Sequence, residues 1–253
     1  IGIGYDFILS NSTFKDNVVT QDTLMKGLSM SIDQCSDSTN TVVSSLLIEN
    51  CTFTQNTGYN KIYLGSGDEI RIDNSTWSME AGLGSLLQVV GLSDTANISF
   101  TNNRWSENTM QEFVMMVEIR NGGQIQIEGT NVTGSTGGIQ YDWLNATSKR
   151  TTTLEIRDTF VQTVPNVRFI VTNIMDVTID NLVITGQGPQ TAVYALESSN
   201  VTISRWKQET TDSTNGVMTN GSLTVTDCEV SGVLYPIEMI YPIDDIGMYV
   251  NNC

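Results

Sequence analysis

A short phrase recurs along the whole chain and constrains its fold more than any other feature. The clearest copy is Ile70-Arg71-Ile72-Asp73-Asn74-Ser75-Thr76-Trp77: two apolar residues two apart, and a large apolar residue five after the second. Taking the second apolar residue as an anchor, further copies have anchors Leu9, Ile48, Phe100, Ile127, Ile156, Ile179, Ile203 and Val225, with a clipped copy at Val250. Two before the anchor stand Phe7, Leu46, Ile70, Ile98, Ile125, Leu154, Val177, Val201, Leu223 and Met248. Five after it stand Phe14, Phe53, Trp77, Trp105, Val132, Val161, Ile184 and Val230, while in the Ile203 copy Trp206 comes early.

The column two after the anchor explains the other two. It holds Asn11, Asn50, Asn74, Asn102, Gly129, Asp158, Asn181, Asp227 and Asn252, with Arg205 as the exception. In a strand alternate side chains face the same way, so an anchor fixes even offsets as inward. An apolar residue at an odd offset requires the chain to change phase in between. One residue in the left-handed region does this, and Asn, Gly and Asp tolerate that region best. The phrase therefore predicts strand, tight bend, strand, with both strands facing one core.

From Ile48 onward the anchors are 22 to 29 residues apart, a period that belongs to repeat architectures. Each unit holds a further apolar stretch, such as Leu86 to Val90, Phe113 to Val117, Val167 to Val171 and Ala192 to Leu196. Three short strands per turn, stacked in parallel, make a parallel β-helix, whose units bury their apolar sides only against one another. Leucine-rich repeats have a similar period, but their Leu-dominated, helix-containing pattern is missing; strand-forming Ile, Val, Thr, Phe and Trp dominate instead. The expected fold is all-β: a single β-helix domain over residues 1–253, of about ten coils, with an asparagine-rich bend column. Met30 to Cys35 resembles the phrase, but Ile32 lies only 16 residues before Ile48. Either that coil is compact or Ile32 belongs to another strand of a coil with a long loop. The loop with Trp143, Asn145, Lys149 and Arg150 is expected to protrude, and Leu234 to Pro242, with two prolines, to form a bent edge or a surface crossing.

The formal charge of −16, without any His, disfavours nucleic acid and anionic lipid as partners. No stretch approaches the length of a membrane span. Both ends look like cuts in a longer protein, since Ile1 lies close to an anchor and Cys253 falls short of the next strand.

The cysteines report on compartment. Cys51, Cys228 and Cys253 stand three after anchors, and Cys35 stands three after Ile32. Stacked positions lie about 5 Å apart, within disulfide reach, whereas Cys51 and Cys228 are coils apart. The expected pairs are Cys35–Cys51 and Cys228–Cys253, which place the protein in an oxidising, extracellular setting. A zinc site is not expected without His or a close Cys pair. Sequons occur at Asn11, Asn50, Asn74, Asn97, Asn131, Asn145, Asn200 and Asn220. Bend positions should use their side chains locally, which leaves Asn97, Asn131, Asn145, Asn200 and Asn220 as the expected acceptors.

The bend-column Asn residues resemble the asparagine ladder of the pectate-lyase-like right-handed β-helix superfamily. Phe14-Lys15-Asp16-Asn17 and Phe53-Thr54-Gln55-Asn56 are similar to the Phe-x-x-Asn repeats of polymorphic outer-membrane and adhesin-type proteins, with Trp105-Ser106-Glu107-Asn108 as a variant and Gly137-Gly138-Ile139 as a loose Gly-Gly-Ala-Ile element. The resemblance implies a right-handed winding and two rival functions. Polygalacturonase-like members use clustered Asp with a His and an Arg-x-Lys element. Here Asp244-Asp245 is the only Asp pair, and the other two elements are missing. Pectate-lyase-like members set a basic residue beside carboxylates that hold calcium. Arg71 with Asp73 and Arg157 with Asp158 are the nearest equivalents, but both sit at the bend, and no residue is assigned as catalytic, cofactor-binding or metal-binding. A phage-type tailspike with a carbohydrate groove is a related reading, for which only Trp143 is free to stack on a sugar. The favoured expectation is a non-catalytic extracellular rod, an adhesin, coat or filament glycoprotein that associates end to end with more coils of its own kind.

Overall fold

The computed structural model describes residues 5–17, 29–32, 43–58, 61–66, 69–82, 86–91, 96–119, 123–143, 152–163, 169–172, 174–187, 191–196, 200–240 and 247–253. All regular structure among them is β, and every strand pairing is parallel, so the chain winds as a parallel β-solenoid.

The anchors lie on the first face. Its strands are β1 (Tyr5–Ser10), β4 (Val43–Glu49), β8 (Glu69–Asp73), β12 (Ala96–Thr101), β15 (Gly123–Glu128), the first half of β18 (Thr152–Thr163) and of β20 (Asp176–Gln187), then β22 (Asn200–Ser204), β24 (Ser222–Thr226) and β26 (Met248–Asn251). They pair in that order with the expected columns in register: Leu9 on Ile48, Ile48 on Ile72, Ile72 on Phe100, through to Val225 on Val250. The second face carries the column five after the anchor. It runs through β2 (Thr13–Lys15), β5 (Thr52–Thr54), β9 (Thr76–Ser78), β13 (Arg104–Ser106) and β16 (Asn131–Thr133), then the second halves of β18 and β20, to β23 (Lys207–Thr219) and β25 (Glu229–Met239). The third face consists of β3 (Ser29–Ile32), β7 (Lys61–Ser66), β11 (Leu87–Gly91), β14 (Thr109–Ile119), β17 (Thr136–Trp143), β19 (Phe169–Thr172) and β21 (Thr191–Leu196), and then the far halves of β23 and β25. Short β6 (Thr57–Gly58) and β10 (Ala81–Gly82) bridge the corner between the second and third faces.

The phase change is made as expected. Asn11, Asn50, Asn74, Asn102, Gly129, Asp158, Asn181, Arg205, Asp227 and Asn252 all have φ between 47° and 62°. At Asn11, Asn50, Asn74, Asn102, Gly129, Arg205 and Asp227 the bend keeps the ladder intact with its own N–H; that of Asn74 donates to Thr101 O at 2.8 Å and that of Asn102 to Glu128 O at 2.9 Å. Arg205 adopts the strained conformation while its guanidinium holds Asp180 of the preceding rung, Nε to Oδ1 at 2.8 Å. We expect Asn102→Gly to change stability by less than about 0.5 kcal/mol, and Asn102→Val to cost about 1–2 kcal/mol because a β-branched residue resists positive φ. Urea denaturation of the two variants measures the difference.

Two expectations need correction, one open choice is decided, and one bend column is new. The ten coils of like build become about five turns. Three separate strands per turn persist from β1 to β17, after which faces merge: β18 and β20 run through the first bend, and β23 and β25 through the second. They merge because pairing resumes immediately past the bend, as at Arg157 on Asp180 and Thr159 on Leu182. Second, of the two placements left open for Ile32, the structure gives the one on another strand. Strand β3 pairs with β7, Ile32 on Leu64, which places it on the third face. Third, a second left-handed bend exists that the phrase did not announce, at Asp16, Gln55, Met79, Glu107 and Gly134. Last, Trp143 does not belong to a protruding loop: it ends β17 with its backbone paired to Ile119. Asn145, Lys149 and Arg150 lie outside the described residues. Pro236 sits in β25, whose described pairing is with β23 alone, an edge position where a missing N–H is tolerated.

Candidate functional site

Two kinds of surface and two interior columns are distinctive enough to carry function. On the first face from β8 to β24 the side chains at odd offsets from the anchors are polar, whereas Ile8, Leu47 and Tyr249 make the rungs nearer the two ends more apolar. Gln124 and Gln126 on β15, Thr153 and Glu155 on β18, and Asp176 and Thr178 on β20 line a shallow open groove of about 280 Å³, with Leu154 at its floor. Both of its carboxylates are engaged: Glu155 is ion-paired with Arg157, and Asp176 accepts from Asn200 Nδ2 at 2.7 Å.

The second surface is the C-terminal rung. Interior anchors such as Ile72 are fully buried, but on β26 Met248 is 57 % and Val250 43 % exposed. On β25, Leu234 and Tyr235 are exposed as well. Among the described residues β26 pairs with β24 alone, so one backbone edge and the inward apolar column are both left uncovered.

Inside, polar ladders line the two corners. One stands three after the anchor, next to the bend column. Cys51 N donates to Ser75 Oγ (3.1 Å), Ser75 N to Asn103 Oδ1 (3.0 Å), and Asn103 Nδ2 back to Ile72 O (2.6 Å). The inward ladder thus stands one residue after the bend column and is mixed, with Cys51, Ser75, Asn103, Thr130 and Thr159, so the bend-column Asn residues do not form an inward asparagine ladder. The bend residues Asn11, Asn50, Asn74 and Asn102 are exposed. The other ladder stands eight after the anchor, at the end of the Phe-x-x-Asn motifs. Asn17 N donates to Asn56 Oδ1 (3.1 Å), Asn56 N to Glu80 Oε1 (3.3 Å), Glu80 N to Asn108 Oδ1 (3.0 Å), and Asn108 N to Ser135 Oγ (3.2 Å). Each side-chain oxygen satisfies a corner N–H that the sheet ladder leaves over. Glu80 does so as a buried acid, and burial pushes its carboxyl up to about 7.

The residues singled out in the sequence are distributed as follows. Cys228 and Cys253 form a disulfide, with Cα atoms 4.5 Å apart. Cys51 is instead a free, buried thiol that donates to Glu49 O (3.3 Å) and Leu9 O (3.5 Å). The pair expected for it rested on Ile32 as an anchor, and the true neighbours in its column are Ser12 and Ser75. Cys35 lies outside the described residues. Among the sequons, Asn97 and Asn200 are exposed on the first face and Asn220 is half-buried. Asn131 is also half-buried, and its Oδ1 is buried without a partner.

Arg71 bonds Asp73 at 2.8 Å, whereas Arg157 pairs with Glu155 rather than Asp158, which accepts from Asn181 Nδ2 at 2.6 Å. The Arg205 guanidinium holds the Asp180 carboxyl down at about 2, so this pair is a standing ion pair on an exposed corner. Asp244-Asp245 falls outside the described residues. Among the described residues no cluster of three His, Cys, Asp or Glu side chains suits a metal ion, and no helix is long and apolar enough to cross a membrane. The chain matches no protein-family model, no curated protein and no solved structure. What is shown is the fold alone, a parallel β-solenoid.

Proposed function

We propose that this chain is a non-catalytic structural segment of an extracellular protein, an adhesin, coat or filament component built on a right-handed β-helix that continues end to end. The observation that carries the reading is the stacking itself: the apolar columns stay in register from β1 to β26, and a repeat of this kind is extended by any further parallel rung. The columns of the chain supply a fitting one. A second copy placed in register brings Phe7 over Met248, Leu9 over Val250 and Asn11 over Asn252. The Cys228–Cys253 disulfide ties the β26 rung to its neighbour and fits an oxidising compartment. Sedimentation of the protein should reveal concentration-dependent association that Val250→Lys abolishes, because an ammonium on the inward column cannot be covered. A wild-type protein that stays monomeric at high concentration overturns the reading.

One feature favours the rival, a polysaccharide-active or tailspike-like protein: the polar groove over β15, β18 and β20. Incubation with polyuronic acids and calcium, watching for unsaturated products, tests it, and turnover would displace the structural reading. A glycan and disulfide map by mass spectrometry tests the compartment independently.

A further inference from the structure

In the coil that opens with β22 the interior changes character. The column five after the anchor is aromatic or aliphatic from Phe14 to Ile184 and again at Val230, but at Gln208 it is an amide. Gln208 stacks between Ile184 and Val230 and is 1 % exposed. Further along β23, Thr210, Ser213 and Asn215 are also buried, none more than 5 % exposed. Asp212, with φ of 62°, turns the strand between them, so they meet across an interior corner. Gln208 Nε2 donates to Thr210 Oγ1 (3.2 Å) and Ser213 Oγ (3.4 Å), and Ser213 Oγ donates to Asn215 O (3.3 Å).

Three polar atoms of this coil have no partner: Gln208 Oε1, Asn215 Oδ1 and Trp206 Nε1. Exchanging the two ends of the Gln208 amide does not remove the problem. It turns the oxygen toward the hydroxyls and leaves the NH2 group unpartnered. On the neighbouring rungs Gln208 is flanked by the apolar Ile184 and Val230, while Asn215 stacks between Thr191 and the exposed Tyr235 and its Oδ1 still finds no partner. Trp206 has little freedom to turn away, because its ring packs on Gly216: a Cβ there would lie 2.6 Å from the ring edge and 2.5 Å from Pro236 O. Native interiors satisfy almost all such groups.

We infer that the β23 corner is a buried hydration site, with structural water bonded to Gln208 Oε1 and Asn215 Oδ1. Two amide oxygens need a donor and the indole N–H needs an acceptor, and water is the small ligand that supplies both. A metal cation would suit the oxygens but not the indole, and the corner's buried side chains include no carboxylate to offset its charge. An apolar ligand would leave all three unmet.

The test is a high-resolution crystal structure of the whole chain, paired with water-oxygen magnetic relaxation dispersion in solution. Density for water is expected at about 2.7–3.2 Å from both amide oxygens. Gln208→Val, which installs the residue found at Val132, Val161 and Val230, should lose at least one long-lived internal water while keeping the β circular dichroism. Three results overturn the site: direct side-chain partners for both oxygens, a cation at short metal–oxygen distances, or a folded Gln208→Val variant with an unchanged dispersion profile. The crystal arm uses the wild-type protein and decides the matter even if the variant does not fold.

Discussion

Trp105→Ala should cost about 3–5 kcal/mol, the range for deleting a fully buried aromatic side chain from a core that cannot collapse. Trp105 is 1 % exposed and ends an in-register aromatic file: Phe14 stacks on Phe53 (5.0 Å), Phe53 on Trp77 (5.2 Å), and Trp77 on Trp105 (4.1 Å), with ring planes within 6° of parallel. Parallel strands set that arrangement. Residues at one column recur at every rung, so flat side chains lie face over face at close to the strand spacing. The backbone on both sides is pinned by ladder bonds and cannot move in to fill the space. Guanidinium denaturation followed by tryptophan fluorescence measures the loss. Trp77→Phe is the informative contrast: it keeps a ring in the file and removes an indole N–H that is buried without a partner. Losing an unmet donor recovers about 1–3 kcal/mol, which offsets the smaller ring, so this change should fall within about 1 kcal/mol of wild type. A cost for Trp77→Phe equal to that of Trp105→Ala would mean the file depends on ring area alone.

Glu80→Gln should stabilise the protein above neutral pH and leave it unchanged near pH 4. Burial raises the Glu80 carboxyl from an ordinary value of 4.5 to about 7 in the folded chain. Between those values the folded state keeps a proton that the unfolded state has released. The stabilising contribution of the neutral acid is therefore complete below about 4.5, fades as pH rises toward 7, and is gone above it. A protonated carboxyl, with one donor and one acceptor, resembles the amides of Asn56 and Asn108 on either side of it. Glutamine provides that pairing at every pH. At pH 8 the variant should be more stable by about 1–3 kcal/mol, the upper figure being the full value of the shift. Thermal melts of both proteins from pH 4 to 8 give the difference curve. A flat curve would show that Glu80 is charged at no cost, with its environment more polar than the ladder geometry implies.

The alignment of apolar residues, with small or polar residues between them, determined the winding by itself. Strand periodicity has only two faces, so Ile72 and Trp77, an odd number of residues apart, share an interior only if Asn74 reverses the phase. The same alignment placed Cys228 over Cys253, because register between like phrases is set by side chains whose slippage would expose the core. The second corner was less legible. Its left-handed residues are as varied as Met79 and Glu107, and the inward ladder alternates amide, acid and hydroxyl, so no single residue type marks it. What recurs there is a backbone N–H needing an acceptor, a demand that many side chains meet and that sequence does not display. Only the tertiary structure decided which face Ile32 joins, and with it that Cys51 keeps a free thiol beneath Leu9. A strand with alternate apolar residues, such as Met30 and Ile32 on β3, is equally at home on any face of a solenoid; its place follows from the strand it pairs with. The exposed column at Met248 and Val250 and the buried amides of Gln208 and Asn215 belong to the same class. Their meaning depends on what lies one rung away, and that is a property of stacking rather than of any one stretch of chain.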